Sequence, residues 1–283
     1  MNKVILMGRL MSLAKINCII QISGSWGGGK QLLFDGTIWE WQYVSSTQKE
    51  LTLTAYDRLI RLQQSKDFKY YSAGLTTQAL INDICSDWGI PVAYKWGQSL
   101  THEKKVFSGE AISDMIVGLL EEVRQKTGVK YIIYFKDGQL QIADYGSNSP
   151  IDKFDTQNTM STSDKLTINN LVTRVKIIGK QDDVGRSSVD AIVDGDTRYG
   201  VLQEIIRHDS DKTLDAVMAE ANALIKTRGK PEESIQINVP DLPFIRKGDK
   251  IEVEAGNLIG FFFVEGVTHN GTTRQMTPTL TRA

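Results

Sequence analysis

Histidine is the side chain most able to move protons or hold a metal near neutral pH, and this chain of 283 residues has three: His102, His208 and His269. They stand far apart, and none has a second metal-type ligand at i+3 or i+4 on an expected helix. Zinc-ligand spacing is therefore absent and no metal is expected. His269 ends an expected strand and reads as a surface or packing residue. The run Gly27-Gly28-Gly29-Lys30 has the glycine density of a phosphate-binding loop. It lacks the strand-loop-helix frame and a Ser or Thr after the lysine, so it reads as a hairpin loop. No G-x-S-x-G nucleophile elbow is present. Two carboxylates suffice to hydrolyse a glycosidic bond, and the candidate pairs are Asp182-Asp183, Asp194-Asp196 and Glu121-Glu122. The first two fall in an expected loop and the third on the solvated side of an expected helix, where charged neighbours are ordinary. No catalytic, cofactor-binding or metal-ligating residue is expected.

Aromatic residues carry more information. Thr37 to Val44 alternates strictly, which puts Trp39, Trp41 and Tyr43 on one strand face and Ile38, Glu40, Gln42 and Val44 on the other. The aromatic stripe has two readings, a barrel core or a protein-protein contact. Phe261-Phe262-Phe263 must point a ring to each side of its strand, so a neighbour is expected to cover the side that the core does not.

Both aromatic stretches belong to what reads as the same small β-unit used twice. One copy runs IIQI, a glycine-rich gap, LLFDGTIWEWQY around Gly36, a polar loop, then ELTLTAYD. The other runs KIEVE, a gap, FFFVEGVTH around Gly266, a short loop, then RQMTPTLTR. Gly36 and Gly266, with the Lys247-Gly248-Asp249 turn, are the expected structural turns.

The elements between these units read as α+β. Leu80, Ile81, Ile84, Cys85 and Trp88 make one stripe of a helix from about Thr77 to Trp88, capped by Thr76 and ended by Gly89. A second helix is expected from about Gly109 to Lys126, with Gly128 as its stop, and a hairpin from Tyr131 turns at Asp137-Gly138. The polar stretch 146–165 reads as a linker. LTINNLVTRVKIIGK then makes a strand, QDDVGRSSVDAIVDGDT a solvent-facing tip, and a third helix runs from about Lys212 to Arg228, capped by Asp211. The expected division is an N-terminal β-barrel-like unit over 1–72, an α+β middle over 73–150, a linker over 151–165 and a C-terminal β-barrel with one helix over 166–283.

Composition limits the function classes. Lys+Arg 33 against Asp+Glu 34 gives a net charge of -1, which predicts neither specific nucleic-acid binding nor membrane-surface attachment. No apolar run approaches the length of a membrane span. Arg9 and Lys15 interrupt the apolar N-terminal stretch, so it reads as strand and not as a signal peptide. Cys18 and Cys85 fall at apolar positions and are expected as buried free thiols, favouring synthesis in a reducing cytoplasm.

The strings LTINNLVTRVKIIGK, TRYGVLQEI, DAVMAEANALIKTRGKPE and SIQINVPDLPFIRKGDKIEVE, preceded by LTLTAYDRLIRL and TTQALINDICSDWGIP, resemble baseplate hub proteins of contractile phage tails and R-type bacteriocins. These are the XkdQ/YqbQ-like relatives of the late control protein D family, and the resemblance runs from about residue 30 to the end. It implies a homotrimeric hub in which two related β-barrels per chain give a pseudo-sixfold ring between a sixfold tail tube and a threefold spike. It also implies other baseplate proteins and the tape measure protein as partners, and a place in the tail baseplate after assembly in the bacterial cytoplasm. Lys247-Gly248-Asp249 matches the family's glycine-aspartate turn and Thr173-Arg174-Val175 its strand entering the second barrel. Before IIQI, however, Lys15-Ile16-Asn17 stands where that turn is expected, so the first barrel is either incomplete or finished by another chain. A type VI secretion spike hub is the alternative within the same resemblance. A cell-wall hydrolase or carbohydrate-binding module in the middle region is the alternative outside it.

Overall fold

Short alternating runs broken by glycine and polar turns make strand the commonest element of this chain. The computed structural model describes residues 13–25, 29–45, 49–181, 184–208 and 212–283. Among these it forms seventeen β-strands and four α-helices, a β-rich α+β fold.

The N-terminal unit is a three-stranded antiparallel meander of β1 (Ile19–Ser25), β2 (Lys30–Ser45) and β3 (Lys49–Tyr56). A helix that the sequence pattern does not announce follows, α1 (Leu59–Gln64). Six residues are too few to display a 3.6-residue stripe. Next come β4 (Lys66–Tyr71), α2 (Thr77–Asp87), β5 (Val92–Lys95), β6 (Lys105–Ala111), α3 (Ile112–Thr127), β7 (Tyr131–Lys136) and β8 (Gln139–Asp144). The Thr76 hydroxyl accepts the Ala79 N–H at 3.2 Å and caps α2. At the other end of α3, Gly128 stops the helix with φ +76°. Helix α3 begins three residues later than its apolar pattern suggests, because Glu110 and Ala111 pair with Asp67 and Lys66 of β4. Helices α2 and α3 and the sheet β5-β8-β7 enclose one core, built on Leu80, Ile84, Ile112, Leu119, Leu140 and Ile142.

The stretch expected as a linker instead carries two strands, β9 (Asp152–Asp155) and β10 (Ser161–Thr167). Likewise, the expected tip contains β12 (Ser187–Asp194), which pairs along β11 (Arg174–Gln181). Asp182-Asp183 lie outside the described residues. These segments are polar because β10 and β12 are sheet edges whose outer sides meet water, so their alternation is faint. A parallel strand, β13 (Gln203–Arg207), completes the sheet β12-β11-β13. Helix α4 (Leu214–Arg228) seals one side of it with Val217 and Ala221 against Val175 and Ile177. Its cap is the Thr213 hydroxyl, which accepts the Ala216 N–H; Asp211 lies outside the described residues.

The last strands, β14 (Glu232–Pro240), β15 (Lys250–Ala255), β16 (Leu258–Asn270) and β17 (Gln275–Arg282), complete a sheet of order β10-β14-β17-β16-β15-β9. Six flat strands would hold its edges about 24 Å apart. The link from Asp155 to Ser161 reaches at most about 20 Å, and the Asn158 N–H to Asp155 C=O turn shortens it further. The sheet must therefore curl. Asn257, in the β15–β16 turn, donates across the gap to Asp164 of β10 at 2.8 Å. Among the described residues no backbone pairing joins β9 to β10, so side chains and not a hydrogen-bonded ladder bring the edges together. Inside the curl Ile235, Ile237, Ile251, Val253, Phe262 and Val264 make a second core.

Candidate functional site

The two β-units found in the sequence have the same topology: β1-β2-β3 and β15-β16-β17 are both antiparallel meanders. In each, the pairing of the second strand with the third carries a bulge, between Ile38 and Glu40 in one and between Val264 and Gly266 in the other. Gly36 and Gly266 thus sit inside long strands and not in turns. Gly36 is required for close approach, since a Cβ there would run into the Tyr56 carbonyl oxygen and the Phe34 ring. Gly266 has open space around it and gives no comparable reason for glycine.

What differs is what the two meanders cover. The C-terminal one lies inside the six-stranded curl, whereas the N-terminal one has no flanking strands and belongs to none of the three hydrophobic cores among the described residues. Among the described residues of β1–β3, Gly36, Thr37 and Ile38 alone are buried. Ile19 is 72% exposed, Trp39 39% and Trp41 38%. Most of each tryptophan is covered within the meander, and the remaining apolar surface, with that of Ile19, is what a further contact would bury. The bulge also divides the stripe. Trp41 and Tyr43 lie ring to ring at 6.4 Å, while Trp39 meets Tyr56 edge-on at 6.5 Å.

The three phenylalanines of β16 separate as strand geometry requires. Phe262 is 1% exposed in the core, whereas Phe261 is 48% exposed under the Lys250 ammonium, 4.6 Å from its ring centre. Phe263 packs edge-on against Tyr145 at 5.3 Å, in the contact between the middle and C-terminal regions. There the Tyr145 hydroxyl donates to Glu265 at 2.9 Å, and its pKa is raised by burial and by that bond. The Gly248 carbonyl accepts the Gly146 N–H at 2.7 Å. Gly248 has φ +94°, and a Cβ there would press on Ile132 at 2.9 Å. Asp249 accepts the Arg246 N–H at 2.7 Å, and burial pushes its carboxyl above the ordinary range despite that bond and the Arg246 charge. Arg246 itself donates to the Leu33 carbonyl at 3.3 Å and so ties the bare N-terminal meander to the curl. Sequence reasoning missed Arg246, although it lies one residue before the Lys247-Gly248-Asp249 turn.

The groups tested for chemistry are occupied with structure. His208 bonds Asp190 at 2.7 Å and the Lys212 carbonyl; His269 bonds Asp241 at 2.5 Å and the Ile245 carbonyl. His102 is the most suggestive, with Nε2 at 2.8 Å from the Thr77 hydroxyl and Nδ1 at 3.0 Å from Glu122. That is the connectivity of a hydroxyl-imidazole-carboxylate triad. Thr77, however, is 1% exposed, and its hydroxyl oxygen already accepts the Leu100 N–H at 3.0 Å, so no substrate reaches it. The relay pins the segment between β5 and β6 to α2 and α3. Glu122 is therefore not merely solvated: burial raises its pKa, but bonds from Lys105 and His102 outweigh that and hold it low. Glu121 pairs with Arg124, Asp194 with Arg174, and Asp196 with Arg198. Cys85 is a buried free thiol pushed up to about 12 by burial, and Cys18 is free and partly exposed. Among the described residues no group of three His, Cys, Asp or Glu side chains is placed to hold a metal, and no helix is long and apolar enough to cross a membrane.

A model of the YqbQ-like family matches residues 21–281. The protein YqbQ of Bacillus subtilis (strain 168) is 28% identical over 199 residues, a match spanning 68% of this chain and 60% of that relative's length. Among solved structures, the tail protein from Neisseria meningitidis MC58 superposes with a TM-score of 0.61 at 16% identity, over 88% of this chain and 80% of that one. The 43 kDa tail protein of prophage MuSo2 from Shewanella oneidensis gives 0.62 at 13% identity, over 89% and 79%. A chain of the half-lidded Francisella PdpA-VgrG complex gives 0.53 at 11% identity, over 96% of this chain and 49% of that one. Sequence and fold together therefore establish that the chain belongs to the YqbQ-like family and is built on the fold of these tail proteins.

Proposed function

We propose that this chain is a structural component of a tail baseplate, the hub, in which three copies form a pseudo-sixfold ring joining the tail tube to the central spike. The observation that carries the reading is the pair of equivalent meanders, one enclosed in its own curl and the other without flanking strands and with its tryptophans partly exposed. A ring is built by heterologous contacts, and two similar units per chain can alternate around it. The neighbouring copies then bury the surface that the N-terminal meander leaves open. Family membership and the fold shared with tail proteins support this reading. In it the chain works mechanically and without turnover or cofactor, and its partners are its own copies, the tube, the spike, other baseplate proteins and the tape measure protein. It binds no specific nucleic acid, enters no membrane, and is assembled in the bacterial cytoplasm into a phage or bacteriocin particle.

A second reading, a hub component of a type VI secretion spike, is favoured by the likeness to a chain of the PdpA-VgrG complex. Light scattering with negative-stain imaging of the purified chain tests the ring. Three-copy rings are expected. A strictly monomeric protein at high concentration would overturn the ring, and copurification with spike but not tube proteins would favour the second reading.

A further inference from the structure

Strand β7 leaves one long side unpaired. It is the outer member of the sheet β5-β8-β7. The Tyr145 N–H bonds the Lys130 carbonyl at 3.3 Å, and the register continues through Ile132↔Ala143 and Tyr134↔Gln141. Antiparallel ladders alternate bonded and non-bonded pairs, so the backbone N–H and C=O of Tyr131, Ile133 and Phe135 point away from β8. Among the described residues these groups have no hydrogen-bond partner. Native sheets usually cover or charge such an edge. Here the molecule keeps a cleft on each side of it.

The two clefts differ in chemistry. On the helix side, about 580 Å³ lies between Tyr131 and Ile133 of β7, Leu59 and Leu62 of α1, and Ile116 and Val117 of α3. On its charged rim Glu121 pairs with Arg124 and Lys130 with Glu265, while Lys247 borders both clefts. On the opposite side, about 390 Å³ is bordered by Ile132 and Tyr134 and by four cations, Lys95, Lys136, Arg246 and Lys247. The three lysines have no ion-pair partner among the described residues. Of the two carboxylates on that side, Asp144 and Asp249, the second already accepts the Arg246 N–H.

An extended chain laid along a free edge takes its affinity from the backbone and its specificity from where alternate side chains fall. We propose that the β7 edge receives an extended segment of a partner protein in which apolar residues, placed in the helix-side cleft, alternate with acidic residues, placed among the lysines. The chain's own sequence offers no good occupant. Its best acidic-apolar alternation, Ile251 to Glu254, is β15, already paired on both sides by β16 and β9. The edge strand β12 carries Asp190 and Asp194, but His208 and Arg174 hold them. Residues 1–12 include Lys3 and Arg9 and no acid, so the lysines repel them. The inference needs no ring and stands apart from the hub reading.

Fluorescence polarisation on the full chain tests it with three labelled octapeptides: alternating valine and glutamate, alternating valine and lysine, and the valine-glutamate sequence N-methylated at alternate residues. The valine-glutamate peptide is expected to bind saturably, and the other two at least about tenfold more weakly. The Lys95→Glu/Lys136→Glu variant changes exposed side chains alone and should remove the preference for glutamate. N-methylation blocks edge pairing without touching the protein's fold. Equal binding of the two charge types, undiminished binding of the N-methylated peptide, or no saturable binding would overturn the proposal. Self-association of the wild type that disappears in the lysine variant would assign the edge to a second copy and overturn the partner assignment.

Discussion

Phe261 and Phe262 are adjacent in sequence and opposite in role, and one measurement separates them. Truncating Phe262 opens a cavity among Ile251, Val264 and Leu280, so Phe262→Ala should lower stability by about 3–5 kcal/mol in urea unfolding. Phe261 loses a half-exposed ring and a contact with Lys250; Phe261→Ala should cost about 1 kcal/mol or less. Equal losses would refute the facing derived from the register. The run of three aromatics was legible as a two-faced strand, but which ring faced inward was not, because the sequence does not reveal the register shift beside Gly266. Two carboxylates should respond oppositely to pH. Glu122 has a folded pKa below its ordinary 4.5, so its contribution is full above that value and is lost as pH falls through the folded value. Asp249 has a folded pKa above its ordinary 3.8, so its charge costs stability at neutral pH, and that cost disappears as pH falls through the raised value. Glu122→Gln should flatten the acid side of the melting-temperature profile. Asp249→Asn, which can still accept the Arg246 N–H, should raise the melting temperature near pH 7 more than near pH 4. A matching slope for both variants would refute the assignment.

At the scale of elements, periodicity served where a long face was deeply buried and failed in short or edge strands with few apolar residues. The stripes of α2, α3 and α4 follow from apolar spacing and glycine stops, except that Trp88 lies just past the end of α2 and is exposed. Strands β9, β10 and β12 did not stand out, because an edge strand needs few apolar residues and its Ser, Thr and Asp resemble a loop. Glycines were legible as important but not by mechanism. Gly248 combines positive φ with Ile132 against its missing side chain, and Gly36 sits against the Tyr56 backbone, whereas Gly266 does neither. Gly248→Ala and Gly36→Ala should each lower the urea midpoint by the equivalent of about 1–3 kcal/mol. Gly266→Ala should leave it within about 0.5 kcal/mol, or raise it slightly through the unfolded chain. A Gly266 variant as damaged as the other two would mean that the bulge itself requires glycine.

For the whole molecule, the sequence showed two like units but not their unequal completion, since strands β9, β10 and β14 that enclose the second unit come from elsewhere in the chain. In the proposed ring this divides stability from assembly. The enclosed cores hold the chain together, and the N-terminal meander, which adds no residue to them, leaves its tryptophans partly exposed. Trp41→Glu, at a side chain 38% exposed and in ring contact with Tyr43, should therefore lower the unfolding midpoint by the equivalent of about 1 kcal/mol or less. In the proposed ring those side chains are desolvated between copies, and loss of a tryptophan that acts as a hot spot costs at least about 2 kcal/mol, roughly thirtyfold in affinity. Analytical ultracentrifugation of wild type and Trp41→Glu over one concentration range separates the two effects. The expected pattern is an unchanged monomer fold with assembly displaced to higher concentration. A variant that assembles like the wild type would remove the N-terminal meander from the interface, and a variant that unfolds would show that Trp41 supports the protomer itself.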